Sequence, residues 1–230
     1  MNFLVFAIHT VPDTETGARK YNLGYLDDKN SLKAIMHLHQ QSGKSELPHY
    51  MQRIVAISTI FRGEGVTLDI NTFGDHANSE ADLLNQFFKS INGYKMPTLI
   101  SWDSTGNEMP ILTYRCLKHA IPIPLIISSN PLSLTHAISS YHPEAATTQE
   151  NMMSLLGLDH VSSLTTNEVW KYWGKGDVDL IQDNCDFKAL NSYRVFLRYQ
   201  LMIGEVTHLH FEHESARIEK IISERIANIE

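Results

Sequence analysis

Twelve histidines are spread over 230 residues, and the tightest grouping of metal-ligating types is His208-Leu-His210 followed by Glu212-His213. Imidazole and carboxylate together suit Zn²⁺ better than Mg²⁺. The segment joins two helical patterns, however, and solvated polar loop residues explain it more simply, as they do His37 with His39. Serine is abundant, but there is no Gly-x-Ser-x-Gly elbow and no Gly-rich phosphate loop of the Walker or dinucleotide type, which excludes those hydrolase and nucleotide-binding chemistries. Cys116 and Cys185 are far apart, each within a helix-like pattern, and read as reduced, partly buried thiols rather than a disulfide framework. Trp102, Tyr114, Trp170, Tyr172 and Trp173 could stack on bases, although packing against the core is the commoner use of such side chains.

The elements that must position these residues can be read from hydrophobic periodicity. Asn2–Ile8 is apolar after its first residue, as expected of a strand covered on both faces. A turn-prone Val11–Gly17 and a His-rich stretch to Tyr50 follow, with one short helix around Leu32, Ile35, Met36 and Leu38. Arg53–Phe61 and Val66–Asn71, joined by a turn at Gly63-Glu-Gly65, predict an antiparallel hairpin. Asn78 or Ser79 can cap a helix carrying Leu83, Leu84, Phe87, Phe88 and Ile91 at helical spacing, which ends at Gly93 before the strand Thr98–Trp102. A helix from Pro110 to His119 and a strand at Pro124–Ile127 come next, then a mostly looped Ser128–Thr148. Helices are expected over Gln149–Leu156, Thr166–Trp173, Val178–Met202 with a break near Asn184, and Glu214–Ile229 with an apolar stripe of isoleucines. This order predicts an α/β fold, a mixed β-sheet flanked by helices, as in the RNase H-like class.

The hydrophobic fraction of 43% and charged fraction of 20% are ordinary for a globular domain, and no linker, repeat or low-complexity tract interrupts them. The formal charge of −7 works against non-specific attachment to phosphate backbones, while leaving room for a local basic patch. Apolar runs such as Met1–Ile8 and Ile121–Ile127 fall well short of the about 20 residues needed to span a bilayer. With no basic segment before Met1–Ile8, the expectation is a cytoplasmic protein without membrane contact.

Several phrases carry a more specific signal. Leu47-Pro-His-Tyr-Met-Gln-Arg-Ile-Val-Ala-Ile-Ser58, Ser101-Trp-Asp-Ser-Thr-Gly106, Met109-Pro-Ile-Leu112 with Tyr114-Arg115, Leu155-Leu-Gly157 with Val169-Trp170, and Leu190-Asn191 through Leu197–Met202 occur in one order. In that order they resemble the predicted 3′–5′ exonucleases related to the exonuclease domain of family-B DNA polymerases. The resemblance runs from about Phe3 to Gly204. It implies an RNase H-like DEDD exonuclease domain over residues 1–204, with residues 205–230 as a C-terminal helical extension.

What the resemblance implies for the site is mostly loss. Such exonucleases hold two divalent metal ions on carboxylates from three motifs. The first should read Asp-x-Glu before Thr-Val-Pro-Asp; with Thr10-Val-Pro-Asp13 fixing the register, Ala7-Ile8-His9 stands there. The second should place Asp ahead of a Leu-Pro pair, where Asn107-Glu108-Met109-Pro110 supplies Glu108. The third should be Tyr-x-x-x-Asp, and Asn184-Cys-Asp-Phe-Lys188 occupies its place. Lys188 brings a cation where a cation should bind, and Mg²⁺ requires oxygen ligands. An ion pair of Lys188 with Glu108 is the expected substitute. His9 and Glu108 are weak metal candidates, and with Asp186 could form an altered mononuclear site; helix geometry turns Asp186 away from Lys188. The expectation is a degenerate, catalytically inactive exonuclease-like module with no cofactor, in which Lys188 contacts single-stranded nucleic acid. The alternative is a residual nuclease using Mg²⁺ or Mn²⁺. The Glu214–Ile229 helix is expected to dock on its own domain, with a protein partner or a second copy left open.

Overall fold

The run Phe3–Ile8 sits at the middle of the sheet because neither of its faces meets water. Residues 2–43, 47–63, 68–75, 79–94, 97–128, 131–158 and 164–229 are described by a computed structural model of the chain. Strands β1 (Phe3–Pro12), β2 (Gln52–Arg62), β3 (Leu68–Phe73), β4 (Thr98–Ser101) and β5 (Leu132–Ser133) form a five-stranded sheet in the order β3-β2-β1-β4-β5. β1 to β3 are antiparallel neighbours, whereas β4 runs parallel to β1 and β5 parallel to β4.

Side-chain alternation along β1 divides the core in two. Phe3, Val5 and Ala7 pack with Leu190, Tyr193 and Phe196 of the long helix α9 (Val178–Met202), while Leu4, Phe6 and Ile8 pack on the opposite face. Their partners there include Leu84 and Phe87 of α3 (Glu80–Gly93) and Leu112 of α4 (Met109–His119). Helices α1 (Thr14–Tyr21) and α2 (Asp28–Gln41) follow β1. Three short helices, α5 (Leu125–Ser128), α6 (Leu134–Ile138) and α7 (Gln149–Leu155), lie between α4 and α8 (Thr166–Lys175). The last helix, α10 (His208–Ile229), buries Ile218 and Ile222 in the core beneath α9. Arg62 with Glu214, and Arg194 with Glu219, hold α10 at 2.8 Å each, and Arg225 pairs with Asp186. The middle of the apolar stripe of α10 is therefore covered within the chain, whereas Ile226 is exposed.

The structure corrects several expectations. Asp13 opens α1 as its N-cap, accepting from the Thr16 amide at 3.2 Å. Of the segment expected to be a turn, Val11 and Pro12 extend β1 and the part from Thr14 on is helical. Gly17 lets α1 press onto α2: a Cβ there would lie 2.2 Å from Ile35 Cδ1. Pro124–Ile127 is not a strand; α5 covers most of it, and the fifth strand is the two-residue Leu132–Ser133, too short to show periodicity. α9 runs unbroken through Asn184, and the His208–His213 segment is the first part of α10 rather than a connecting loop. Ser79 caps α3 in a capping box with Asp82. The alternative cap Asn78 and the Glu64–Val66 part of the expected hairpin lie outside the described residues.

A candidate nucleic-acid cleft beside the central strand

α9 crosses the sheet so that Asn184 and Lys188, one helical turn apart, both face β1. The His9 Nε2 lies 2.9 Å from Asn184 Oδ1, and since a carboxamide oxygen only accepts, the imidazole is the donor. The same oxygen accepts from the Leu164 amide at 2.9 Å. Lys188 Nζ donates to the Ile8 carbonyl at 3.4 Å, and Cys185 Sγ to the Ala7 carbonyl at 3.4 Å. The pairing of β1 with β2 shifts register between His9 and Thr10 and then continues to Pro12; such irregularities re-aim side chains beside a site.

Glu108 reaches the group from the other side. It ends a π-helical turn, Ser104–Glu108, whose start is capped by Asp103 accepting from the Gly106 amide at 3.1 Å. A side chain at position 106 would bring its Cβ within 2.5 Å of Asp103 Oδ2, so the cap requires glycine. Glu108 is 1% exposed, its Oε1 lies 3.9 Å from Lys188 Nζ, and its Oε2 has no hydrogen-bond partner. Burial pushes its carboxyl above the usual range, with the Lys188 ammonium acting in the opposite sense. Burial, and then the positive charge of Lys188, hold His9 neutral by lowering its pKa to about 3.

Ala7, His9, Glu108, Asn184 and Lys188 are thus brought together. Asp186 is not among them: it turns away to accept from Ser58 and Thr72 and to pair with Arg225. Nor does His208–His213 assemble a centre, because His208, His210 and His213 are exposed on α10. Among the described residues no group of three or more His, Cys, Asp or Glu is arranged to hold a metal ion. Of the five positions, a methyl, a neutral imidazole paired with a carboxamide, and an ammonium leave Glu108 as the one carboxyl. That donor set does not fit a pair of hard divalent cations, which need several anionic oxygens.

The group borders a cleft of about 230 Å³. His9, Lys188, Gln52 and Thr10 line it, with Gln149 at the start of α7 and Trp170 on α8. Gln149 also ties α7 to α9, donating to the Lys188 carbonyl at 3.1 Å and Ser192 Oγ at 2.8 Å. Nothing in the sequence pattern marks Gln149 as part of the site; its contribution depends on how α7 lies against α9. The Trp170 indole donates to the Thr10 carbonyl at 3.1 Å and so serves as a fixed wall. Trp102 is core, whereas Tyr114 is exposed beside Tyr50.

Behind the cleft, the end of β1 is anchored by buried charge. Arg115 of α4 is 1% exposed and bonds both Glu80, through two nitrogens, and Asp13 at 2.6 Å. Glu80 also accepts from the Ile54 amide at 2.7 Å, and Lys118 reaches Asp13 at 2.6 Å. Sequence reading did not single out this network, because its members are distant along the chain.

The mixed sheet with helices on both faces, and a cleft where the central strand meets a long helix, define an exonuclease-like α/β domain of the RNase H-like fold. The fold resembles that of the family B DNA polymerase from the hyperthermophilic archaeon Pyrobaculum calidifontis, with a TM-score of 0.59 and 11% identity over 87% of this chain. The match takes in 24% of the polymerase chain. The sequence matches the family described as predicted 3′-5′ exonuclease related to the exonuclease domain of PolB over residues 44–131 and 126–229. The chain belongs to that family. The match extends past Gly204 into α10, and it begins after β1, so Ala7 and His9 lie outside the matched residues. No curated protein matches the chain.

Proposed function

We propose that this protein is an exonuclease-fold module that has lost two-metal catalysis and holds the end of a single-stranded nucleic acid in the cleft without cutting it. The observation carrying this reading is the Lys188 ammonium, 3.9 Å from Glu108 and 3.4 Å from the Ile8 carbonyl. A fixed positive charge there occupies the electrostatic role of a bound cation, offering attraction to a phosphate but no activated water. The neutral His9–Asn184 pair supports it, since neither partner supplies negative charge for an ion. Lys188 is the proposed phosphate contact, and Gln52, Thr10 and Gln149 offer polar groups along the wall. No metal or other cofactor is part of the reading. The two buried, unpaired thiols support a reducing, cytoplasmic setting. Among the described residues no helix is long and apolar enough to cross a membrane.

Fluorescence anisotropy of labelled single strands, in chelator and at low and high salt, tests the proposal. Binding in chelator that weakens in Lys188→Ala is expected. Absence of binding at either salt concentration rejects the nucleic-acid role, and binding that appears only with Mg²⁺ or Mn²⁺ favours a residual metal-dependent nuclease.

A further inference from the structure

A second groove adjoins the cleft, with a volume of about 470 Å³ between α2 and α8. Its rim carries Lys29 and Lys33 from α2 and Lys171 and Lys175 from α8, all four exposed. Each pair is spaced by four residues, which places both ammonium groups on one helix face. Leu32, Met36 and Trp170 form its apolar floor, and no acidic residue lines it among the described residues. The two helices approach closely at Gly174, where a Cβ would stand 3.6 Å from Leu32 Cδ2.

The cations beside the cleft and along α9 and α10 differ from these four in their partners. Arg62, Arg115, Lys118, Lys188, Arg194 and Arg225 are all engaged by carboxylates. None of the four groove lysines lies within salt-bridge distance of a carboxylate among the described residues. Lys171 feels Glu168 one turn away, and Lys175 lies over the Tyr172 ring. In a chain of net charge −7, four ammonium groups around an apolar floor still repel one another, and a bound polyanion would relieve that. Trp170 forms part of both walls, one in the cleft beside His9 and Lys188 and one in the groove.

We propose that the α2–α8 groove is a binding track for single-stranded nucleic acid, carrying the strand away from the end held in the cleft. The lysines meet phosphates, and the apolar floor offers no hydrogen-bonding group to read a base edge, so the track is indifferent to sequence. Duplex is disfavoured, because its bases are stacked away from such a floor. This inference rests on the cleft reading above and extends the bound strand beyond Lys188.

The test compares labelled dT3 and dT15 on the full chain, its Lys33→Glu/Lys171→Glu variant and its Lys188→Ala variant, each checked for an unchanged melting curve. Both reversed positions are exposed and make no salt bridge among the described residues, so folding should be retained. Four groove contacts together with Lys188 predict about a 130-fold loss of dT15 affinity over a fourfold rise in salt. The double variant is expected to bind dT15 at least about tenfold more weakly with a shallower salt slope, and dT3 as the parent does. Lys188→Ala is expected to weaken both. If the double variant binds dT15 as tightly as the parent, the track is wrong while the cleft reading stands. If the parent binds neither oligonucleotide, both fall. If polyglutamate displaces dT15 at equal charge concentration, the groove is a site for an acidic protein surface and the proposal is overturned.

Discussion

The imidazole of His9 and the carboxamide of Asn184, 175 residues apart, meet at 2.9 Å between the central strand and the long helix. Asn184 Oδ1 is shared with the Leu164 amide, so a single oxygen fixes β1, α9 and the segment before α8. Asn184→Ala strands two donors in a buried place and should cost about 2 kcal/mol or more in urea unfolding. Asn184→Asp supplies a negative acceptor and should raise the His9 pKa toward its ordinary range, readable in an NMR titration of the imidazole. An unshifted His9 resonance in that variant would break the assignment of the pair.

Burial of neutral His9 gives stability a definite pH dependence. Below about pH 6.5 the unfolded chain binds a proton on this residue, and the folded chain refuses it until about pH 3. The unfolded state therefore binds more protons in that window, and stability falls as pH falls, by at most about 1.4 kcal/mol per pH unit. His9→Gln keeps a neutral donor and removes the titration. The difference in unfolding free energy between the two proteins should be constant above pH 7 and should shift in favour of the variant on acidification. Because Glu108 and Asp13 are common to both, parallel curves from pH 7.5 to 4.5 would contradict a buried neutral His9.

Arg115 is held by Glu80 and Asp13 with almost no exposure, and removing it takes their shared buried cation from two buried carboxylates, leaving Asp13 only the partly exposed Lys118 and Glu80 only His119. Arg115→Ala should destabilise the fold by about 3–5 kcal/mol, since breaking a buried pair costs far more than the pair contributes. Arg115→Lys keeps the charge but loses the planar fork, and should fall between the two. A loss below about 1 kcal/mol for the alanine variant would mean the network is solvated.

Both thiols are buried and unpaired. Burial pushes Cys185 up to about 12 and Cys116 up to about 11. The thiolate is the reactive form, so neither should react with Ellman's reagent at pH 8 in the folded protein, and both should react in denaturant. Fast labelling of Cys185 in native buffer would show that α9 opens from β1.

Much of the architecture was legible because burial leaves a periodic trace. The apolar β1, the Leu83–Ile91 stripe of α3 and the isoleucines of α10 each announce an element and its buried face. Two-residue β5 leaves no period, and Asp13 reads equally as a turn residue or a helix cap until the Thr16 amide is in place. Asn184 suggested a break because its side chain competes for nearby backbone groups in isolation. In the fold it is occupied by His9 and Leu164, and the helix continues. At the site, motif register alone nominated Ala7, His9, Glu108, Asn184 and Lys188, which the structure gathers around one point. Gln149 and the four groove lysines depend on how α7, α2 and α8 lie together. The four-residue spacing of each lysine pair was visible, but not their convergence.

This cleft is expected not to catalyse metal-dependent cleavage. The direct measurement is incubation of a 5′-labelled single strand with the purified chain in Mg²⁺ and in Mn²⁺, beside Glu108→Gln, with products resolved nucleotide by nucleotide. The predicted result is a strand of unchanged length with both proteins and both metals. Stepwise shortening from the 3′ end that requires the metal and disappears in Glu108→Gln would contradict it.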